Sequence, residues 1–199
     1  MNNNKRINPS EIIYENKIII YSVVLYIGGL ALGAAFIKLF GVSHFESFLK
    51  KELTVNSNIF ISMYFYRMSV YLTVFLITVL FGMCIIGYPV IYTVPLVTGA
   101  AISIKIAYYY MSYKLKGIGY SLLMIIPEAA AFETLLLYSV NTSCKLSYTI
   151  FNTVNKKDMT KEINLKSYLK SYLIYFLILF VIASISTLFS YLLNTIITL

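Results

Sequence analysis

Charged side chains are scarce in this sequence. Only 12% of its 199 residues are Asp, Glu, Lys or Arg, whereas an ordinary soluble domain contains about 25%. Apolar residues make up 59% of the chain, and its mean hydropathy is +0.79. A surface that faces water needs more polar side chains than this, but a surface that faces lipid does not. The composition excludes a disordered chain, a collagen-like fibre and a disulfide-rich module, and it argues strongly against a soluble enzyme.

Residue types that carry out chemistry are also few. The chain has one histidine (His44), two cysteines (Cys84 and Cys144) and no tryptophan. Two isolated cysteines form neither a disulfide framework nor a metal site, so we expect both to be buried as small apolar residues. The motifs of serine hydrolases, zinc proteases, phosphate-binding loops and dinucleotide-binding folds are absent. The sequence therefore predicts no enzyme activity, no catalytic residue, no metal and no cofactor.

Acidic residues are scarcer than basic residues. There are 16 basic and 8 acidic residues, which give a net charge of +8, and 14 of the basic residues are lysines. Most of the lysines fall in the gaps between long apolar runs, where the headgroups of anionic lipids would meet them. We expect anionic membrane lipid as a partner, and no nucleic acid.

The apolar runs predict an all-α, polytopic bundle of about five transmembrane helices, which forms one membrane domain over residues 1–199. The stretch 68–104 contains no charged residue and is too long for one crossing. A tight turn at Gly87-Tyr88-Pro89 would divide it into two spans. The spans predicted in this way are 18–40, 68–86, 90–111, 118–140 and 169–193.

Two longer polar segments separate these spans. Five crossings would place loop 41–67 on one side of the membrane, and would place loop 141–168 with the amino terminus on the other. The latter side carries nine Lys and Arg residues and the former carries six. The positive-inside rule then predicts a cytoplasmic amino terminus, an external carboxyl terminus, an external loop 41–67 and a cytoplasmic loop 141–168. Apolar residues at helical spacing leave open whether residues 144–155 form an interfacial helix.

The first span contains two glycines, Gly29 and Gly33, at a spacing of four residues. Small residues at this spacing let a second membrane helix approach closely. We expect this pair to be a helix-packing site.

Three ionisable side chains fall inside the predicted spans: Lys105, Glu128 and Glu133. Such groups are costly in lipid and are functional candidates for that reason. A turn near residue 115 would bring Lys105 and Glu128 to similar depths on antiparallel helices, which allows an ion pair. Glu133 lies about 140° around the helix from Glu128, so the two carboxylates would not share a face. Pro127 predicts either a kink or a broken helix of the kind that lines transporter pathways.

The order of glycines and prolines resembles a known family. The stretch 81–91 ends a span in the turn Gly87-Tyr88-Pro89, and Gly99 follows about a dozen residues later. A short polar turn, Lys116-Gly117, then precedes a span with the internal Pro127, and a last span closes the chain. This layout is similar to that of the stage II sporulation protein M family. The family's relatives tend to have an acid five residues after the proline, whereas Glu128 and Glu133 here lie one and six residues after it.

The resemblance implies a non-enzymatic membrane scaffold of the engulfment machinery. Members of the family anchor or recruit two peptidoglycan hydrolases, stage II sporulation proteins D and P, at the septum. The resemblance thus implies a septal or forespore-engulfing cell membrane as the location. The alternative is a small permease or the membrane subunit of a transporter, with Lys105, Pro127 and Glu128 along its path. A wall hydrolase is less favoured, because Glu46 and Glu52 are the only carboxylates in the predicted external loops.

Overall fold

The computed structural model describes residues 9–41, 60–156 and 165–196, and these ranges are helical apart from one short turn and the residue after the first helix. Long apolar sequences favour helices in lipid, because a helix satisfies its backbone N–H and C=O groups internally. The helices are α1 (Pro9–Phe40), α2 (Phe60–Gly82), α3 (Gly87–Tyr120), a π-helical segment (Ser121–Ile125), α4 (Ile126–Lys156) and α5 (Leu165–Ile196).

Four helical segments in the described ranges are long and apolar enough to cross a membrane. They are Lys17–Phe40, Phe60–Gly82, Gly87–Val154 and Leu165–Leu192. Apolar side chains are widely exposed on their outer surfaces, including Leu39, Leu80 and Leu173. The predicted all-α membrane protein with several spans is therefore confirmed.

The third of these segments, Gly87–Val154, reverses direction near its middle. Lys114 has φ 50° and ψ −125°, which is not a helical conformation. The rings of Tyr109 and Tyr120 stack with their centroids 4.8 Å apart on either side of this point. A Cβ atom on Gly117 would overlap the carbonyl oxygen of Tyr109, so only glycine allows this close return of the chain. The turn lies where the sequence predicts it.

Pro127 does not break the helix that contains it. Its ring has no N–H for the carbonyl of Leu123 and would clash with that carbonyl in a regular α-helix. The backbone instead widens into the π-helical segment Ser121–Ile125 and continues directly into α4, which is a usual response to such a conflict. The structure thus has a bulged continuous helix here, and not a re-entrant one.

Helix α2 begins at Phe60, eight residues before the predicted start of the second span. Arg67 therefore lies inside α2, and not at the end of the external loop, and it is only 8% exposed. The predicted start of the second span was wrong because Arg67 is charged. The sequence does not show the distant groups that pair with this charge. The rest of the predicted loop, residues 42–59, lies outside the described residues.

The turn between α2 and α3 occupies residues 83–86, just before the predicted Gly87-Tyr88-Pro89. The Gly87 backbone N–H donates to the Cys84 carbonyl at 3.1 Å, and Gly87 is the first residue of α3. Pro89 falls in the first helical turn, where a backbone N–H would have no intrahelical acceptor. Cys84 is exposed in this turn, contrary to the expectation of burial, whereas Cys144 is buried.

Much of the predicted loop 141–168 is also helical. Helix α4 continues to Lys156, and Ser143, Cys144 and Ser147 within it are fully buried. The Ser147 hydroxyl donates to the Cys84 carbonyl at 2.9 Å, which joins this part of α4 to the turn at 83–86. Residues 144–155 are therefore an extension of a core helix, and not a separate interfacial helix. Residues 157–164 lie outside the described part of the chain.

Helix α4 is central and contacts the other four helices, whereas α1 packs mainly against α3. The larger hydrophobic cluster includes Phe75, Ile91, Phe132, Leu136 and Leu179. A smaller cluster near the Lys114 turn contains Ile37, Tyr108, Tyr109, Tyr120, Met124 and Ile125.

Candidate functional site

Glycines lie at the points where α1 and α3 approach each other most closely. Cβ atoms added to Gly29 or Gly33 would overlap the carbonyl oxygens of Leu96 and Ala100 on α3. In the reverse direction, a Cβ atom on Gly99 would overlap the carbonyl oxygen of Tyr26 on α1. Apolar burial does not drive helix association in lipid, so close backbone packing of this kind supplies much of the attraction. The two glycines of α1 therefore lie at a helix interface, as their spacing predicts, and Gly99 lies on its other side.

Hydroxyl groups join α4 to α5, and α5 to α2. The Tyr172 hydroxyl is 2.7 Å from the Ser139 hydroxyl and also hydrogen-bonds the hydroxyl of Ser143. The Tyr168 hydroxyl donates to the Val79 carbonyl on α2 at 3.1 Å. Ser139 and Ser143 are fully buried. Ser143 and Tyr168, which the sequence pattern places in the loop 141–168, thus stabilise the bundle interior.

A buried ion pair joins Arg67 on α2 to Glu128 on α4. The Arg67 Nη1 donates to Glu128 Oε2 at 2.9 Å, and the two side chains are 9% and 14% exposed. The same Nη1 also donates to the Ser186 hydroxyl, and Nη2 donates to the Ser190 hydroxyl at 2.6 Å. The Tyr71 hydroxyl donates to the other carboxylate oxygen of Glu128. One buried network therefore connects α2, α4 and α5.

The sequence pattern did not indicate this network. Arg67 borders a run without charge and reads as the end of a loop, and Ser186 and Ser190 read as ordinary small residues of a span. The only available signal was their i, i+4 spacing, which places both hydroxyls on one face of α5.

A cavity of about 280 Å³ lies beside this network, between α2, α3 and α4. Most of its lining is apolar, but Arg67, Lys105 and Glu128 also line it. Lys105 and Glu128 therefore line one cavity, as the predicted turn near residue 115 implies, and Arg67 forms an ion pair with Glu128. Pro127 is exposed and does not line the cavity.

Glu133 occupies a different environment. It is 4% exposed, and the Thr98 hydroxyl lies 3.1 Å from its Oε2, whereas its Oε1 has no hydrogen-bond partner. Thr98 also lines the cavity, so Glu133 lies behind one wall of it. The two carboxylates do not form a pair, in agreement with their helical spacing.

Among the residues that the structure describes, no group of three or more His, Cys, Asp or Glu side chains could hold a metal ion. What the site can do is bind charge in an apolar environment and hold three helices together.

Residues 22–187 match a protein family described as Stage II sporulation protein M. The match covers most of the chain and includes Gly29, Gly33 and Gly99, the Lys114 turn and the Arg67–Glu128 pair. The chain belongs to the stage II sporulation protein M family. It is a sporulation-related membrane protein of several spans, and the resemblance found in the sequence is confirmed. No curated protein and no solved structure shows a significant similarity to it.

Proposed function

We propose that the protein is a non-enzymatic scaffold that recruits peptidoglycan hydrolases, stage II sporulation proteins D and P, to the septal membrane during engulfment. The family match over residues 22–187 is the observation that carries this proposal. The in-span charges support it, since the carboxylate of Glu128 is held by Arg67 and Tyr71 in a network that fastens helices together. A scaffold needs such a rigid frame and no reactive group.

The proposal includes five membrane crossings, with the segment Gly87–Val154 crossing twice around the Lys114 turn. The amino terminus and the turn at 83–86 then face the cytoplasm, and the Lys114 turn and the carboxyl terminus face outward. Counted along the sequence, nine Lys and Arg residues fall on the amino-terminal side and six on the other, and the positive-inside rule supports this orientation.

Thiol labelling tests the crossings and the orientation. Cys84 is an exposed native thiol in the turn at 83–86, and Lys116→Cys adds a second thiol beside the Lys114 turn. On intact protoplasts, an impermeant maleimide should label Lys116→Cys, and it should label Cys84 only after permeabilisation. Labelling of both from one side would contradict the five crossings. The reverse order of labelling would contradict the orientation alone.

Purification from sporulating cells tests the scaffold. The full chain, extracted in mild detergent, should retain the two wall hydrolases, and their absence under conditions that preserve other membrane complexes would contradict recruitment. Leu115, which is 83% exposed at the Lys114 turn, offers a contact for external partners, and Ile86, which is 78% exposed at the opposite end of α3, provides a matched control. Leu115→Ser should reduce retention and Ile86→Ser should not. Equal retention in both would remove the Lys114 turn from the contact surface.

A transport function is the second candidate, and the cavity lined by Lys105 and Glu128 is the observation that favours it. Transport coupled to the carboxylates of Glu128 and Glu133 requires that these groups bind and release a proton or another ion. The double substitution Glu128→Gln and Glu133→Gln removes both groups. Normal engulfment by cells that contain this variant at wild-type abundance would exclude such transport, whereas a loss of engulfment in a variant that still retains both hydrolases would favour it.

A further inference from the structure

The cavity between α2, α3 and α4 has the features of a lipid site. Its lining carries two cations, Arg67 and Lys105, and one carboxylate, Glu128, so its formal charge is +1 whichever groups pair with each other. The remaining lining is predominantly apolar. A ligand that suits both features is an amphiphile with a negatively charged head.

The cavity reaches the outer surface of the bundle. Val70 on α2 and Val97 on α3 both line it, and they are 45% and 60% exposed. In a membrane these side chains contact acyl chains. A lipid can therefore place its head in the cavity while its chains remain in the bilayer.

The depth of Lys105 also fits a lipid headgroup. At 1.5 Å per residue, α3 extends about 40 Å from Gly87 to Lys114, which exceeds the hydrocarbon thickness of about 30 Å. Lys105 is nine residues, or about 13 Å, from the Lys114 turn. An equal share of the excess at each end of α3 places the headgroup boundary about 5 Å from the turn. The Lys105 backbone then lies about 8 Å below that boundary. A lysine side chain can extend across much of that distance.

We infer that this cavity binds one anionic glycerophospholipid, with its phosphate against Lys105 and an acyl chain along Val70 and Val97. The volume of about 280 Å³ is close to the lower end of the range for ligand pockets, about 300–1,000 Å³. It suits a headgroup and the first carbons of a chain. The inference rests on the proposed crossing of α3 between Gly87 and Lys114, and not on hydrolase recruitment.

Native mass spectrometry of the full chain in neutral detergent tests this site. Phosphatidylglycerol should remain bound in preference to phosphatidylcholine with the same acyl chains. Lys105→Met should lower its retention about fivefold, the effect of one lysine near a charged lipid surface, and Lys105→Arg should preserve it. Lys116→Met is the matched control, because Lys116 is exposed in the same hairpin and does not line the cavity. Equal losses for Lys105→Met and Lys116→Met would overturn the site in favour of general surface attraction.

Two further measurements keep the inference falsifiable if Lys105→Met does not fold. Ala101→Trp fills the cavity without changing its charge and should reduce phosphatidylglycerol retention, and unchanged retention would overturn the location. Inorganic phosphate at millimolar concentration should not displace the lipid. Displacement by phosphate alone would identify a free-anion site and would overturn the lipid assignment.

Discussion

Arg67 on α2 and Glu128 on α4 form an ion pair with 2.9 Å between Nη1 and Oε2, although 61 positions separate them in the chain. In the sequence, each of these two residues is a single charged residue next to an apolar segment. Together they cancel most of the cost that either would have in lipid. Ser186 and Ser190 extend the pair to α5, so this one network joins three helices.

Removal of Arg67 should therefore destabilise the bundle. We expect Arg67→Met to lower the free energy of unfolding by about 3–5 kcal/mol, because it removes the guanidinium group that pairs with the buried Glu128 carboxylate. The double variant Arg67→Met with Glu128→Met should recover part of this loss. Circular dichroism during titration with sodium dodecyl sulfate measures both, with Lys166→Met on the exposed surface of α5 as the control. Purely additive losses in the double variant would show that the two residues are not coupled.

Adjacent glycines in α1 should respond differently to a methyl group. Gly29→Ala inserts a Cβ atom against the Leu96 carbonyl, whereas a Cβ atom on Gly28 meets nothing within 4 Å. We expect Gly29→Ala to lower stability by about 1–3 kcal/mol through overpacking. Gly28→Ala should be neutral or slightly stabilising, because alanine favours a helix. Similar melting temperatures for the two variants in detergent would contradict the close approach of α1 and α3.

A glycine at position 114 should stabilise the Lys114 turn. The φ of 50° and ψ of −125° at Lys114 are close to those of the first central residue of a type II′ turn, where glycine is favoured. We expect Lys114→Gly to raise the free energy of unfolding by about 1 kcal/mol. Lys170→Gly, in the regular helix α5, should lower it by about 1 kcal/mol. Destabilisation of equal size in both variants would mean that Lys114 is helical in the membrane.

The Tyr172 hydroxyl should contribute measurably to the packing of α5 on α4. Tyr172→Phe removes the hydrogen bonds to Ser139 and Ser143 and leaves these buried hydroxyls with fewer partners. We expect a loss of about 1 kcal/mol, the usual size of such bonds between membrane helices. Tyr138, which is 55% exposed on α4, provides the control Tyr138→Phe, which should have no effect. A Tyr172→Phe variant as stable as this control would show that the hydroxyl network does not hold the helices together.

Much of the architecture follows from the sequence pattern alone. Long uncharged runs required membrane helices, the glycine and proline order pointed to the family, and Lys114–Gly117 marked a hairpin. The same pattern misplaces the ends of three helices. It predicts loops at residues 60–67, 141–156 and 165–168, which carry polar side chains, although all three segments are helical. A polar side chain is exposed to water only when no hydrogen-bonding or charged group inside the bundle pairs with it. The sequence alone does not show which groups on other helices pair with it.

The candidate site divides in the same way. The sequence by itself determined that charge is scarce, that Lys105, Glu128 and Glu133 lie within membrane helices, and that the two carboxylates face different directions. Only the tertiary structure decided that Arg67 is the partner of Glu128, that Ser186 and Ser190 complete the network, and that Lys105 lines a cavity beside it. Helical periodicity is a local property and can be read along one segment. The choice of partner depends on which helix faces meet, and that is settled by packing between segments far apart in the chain.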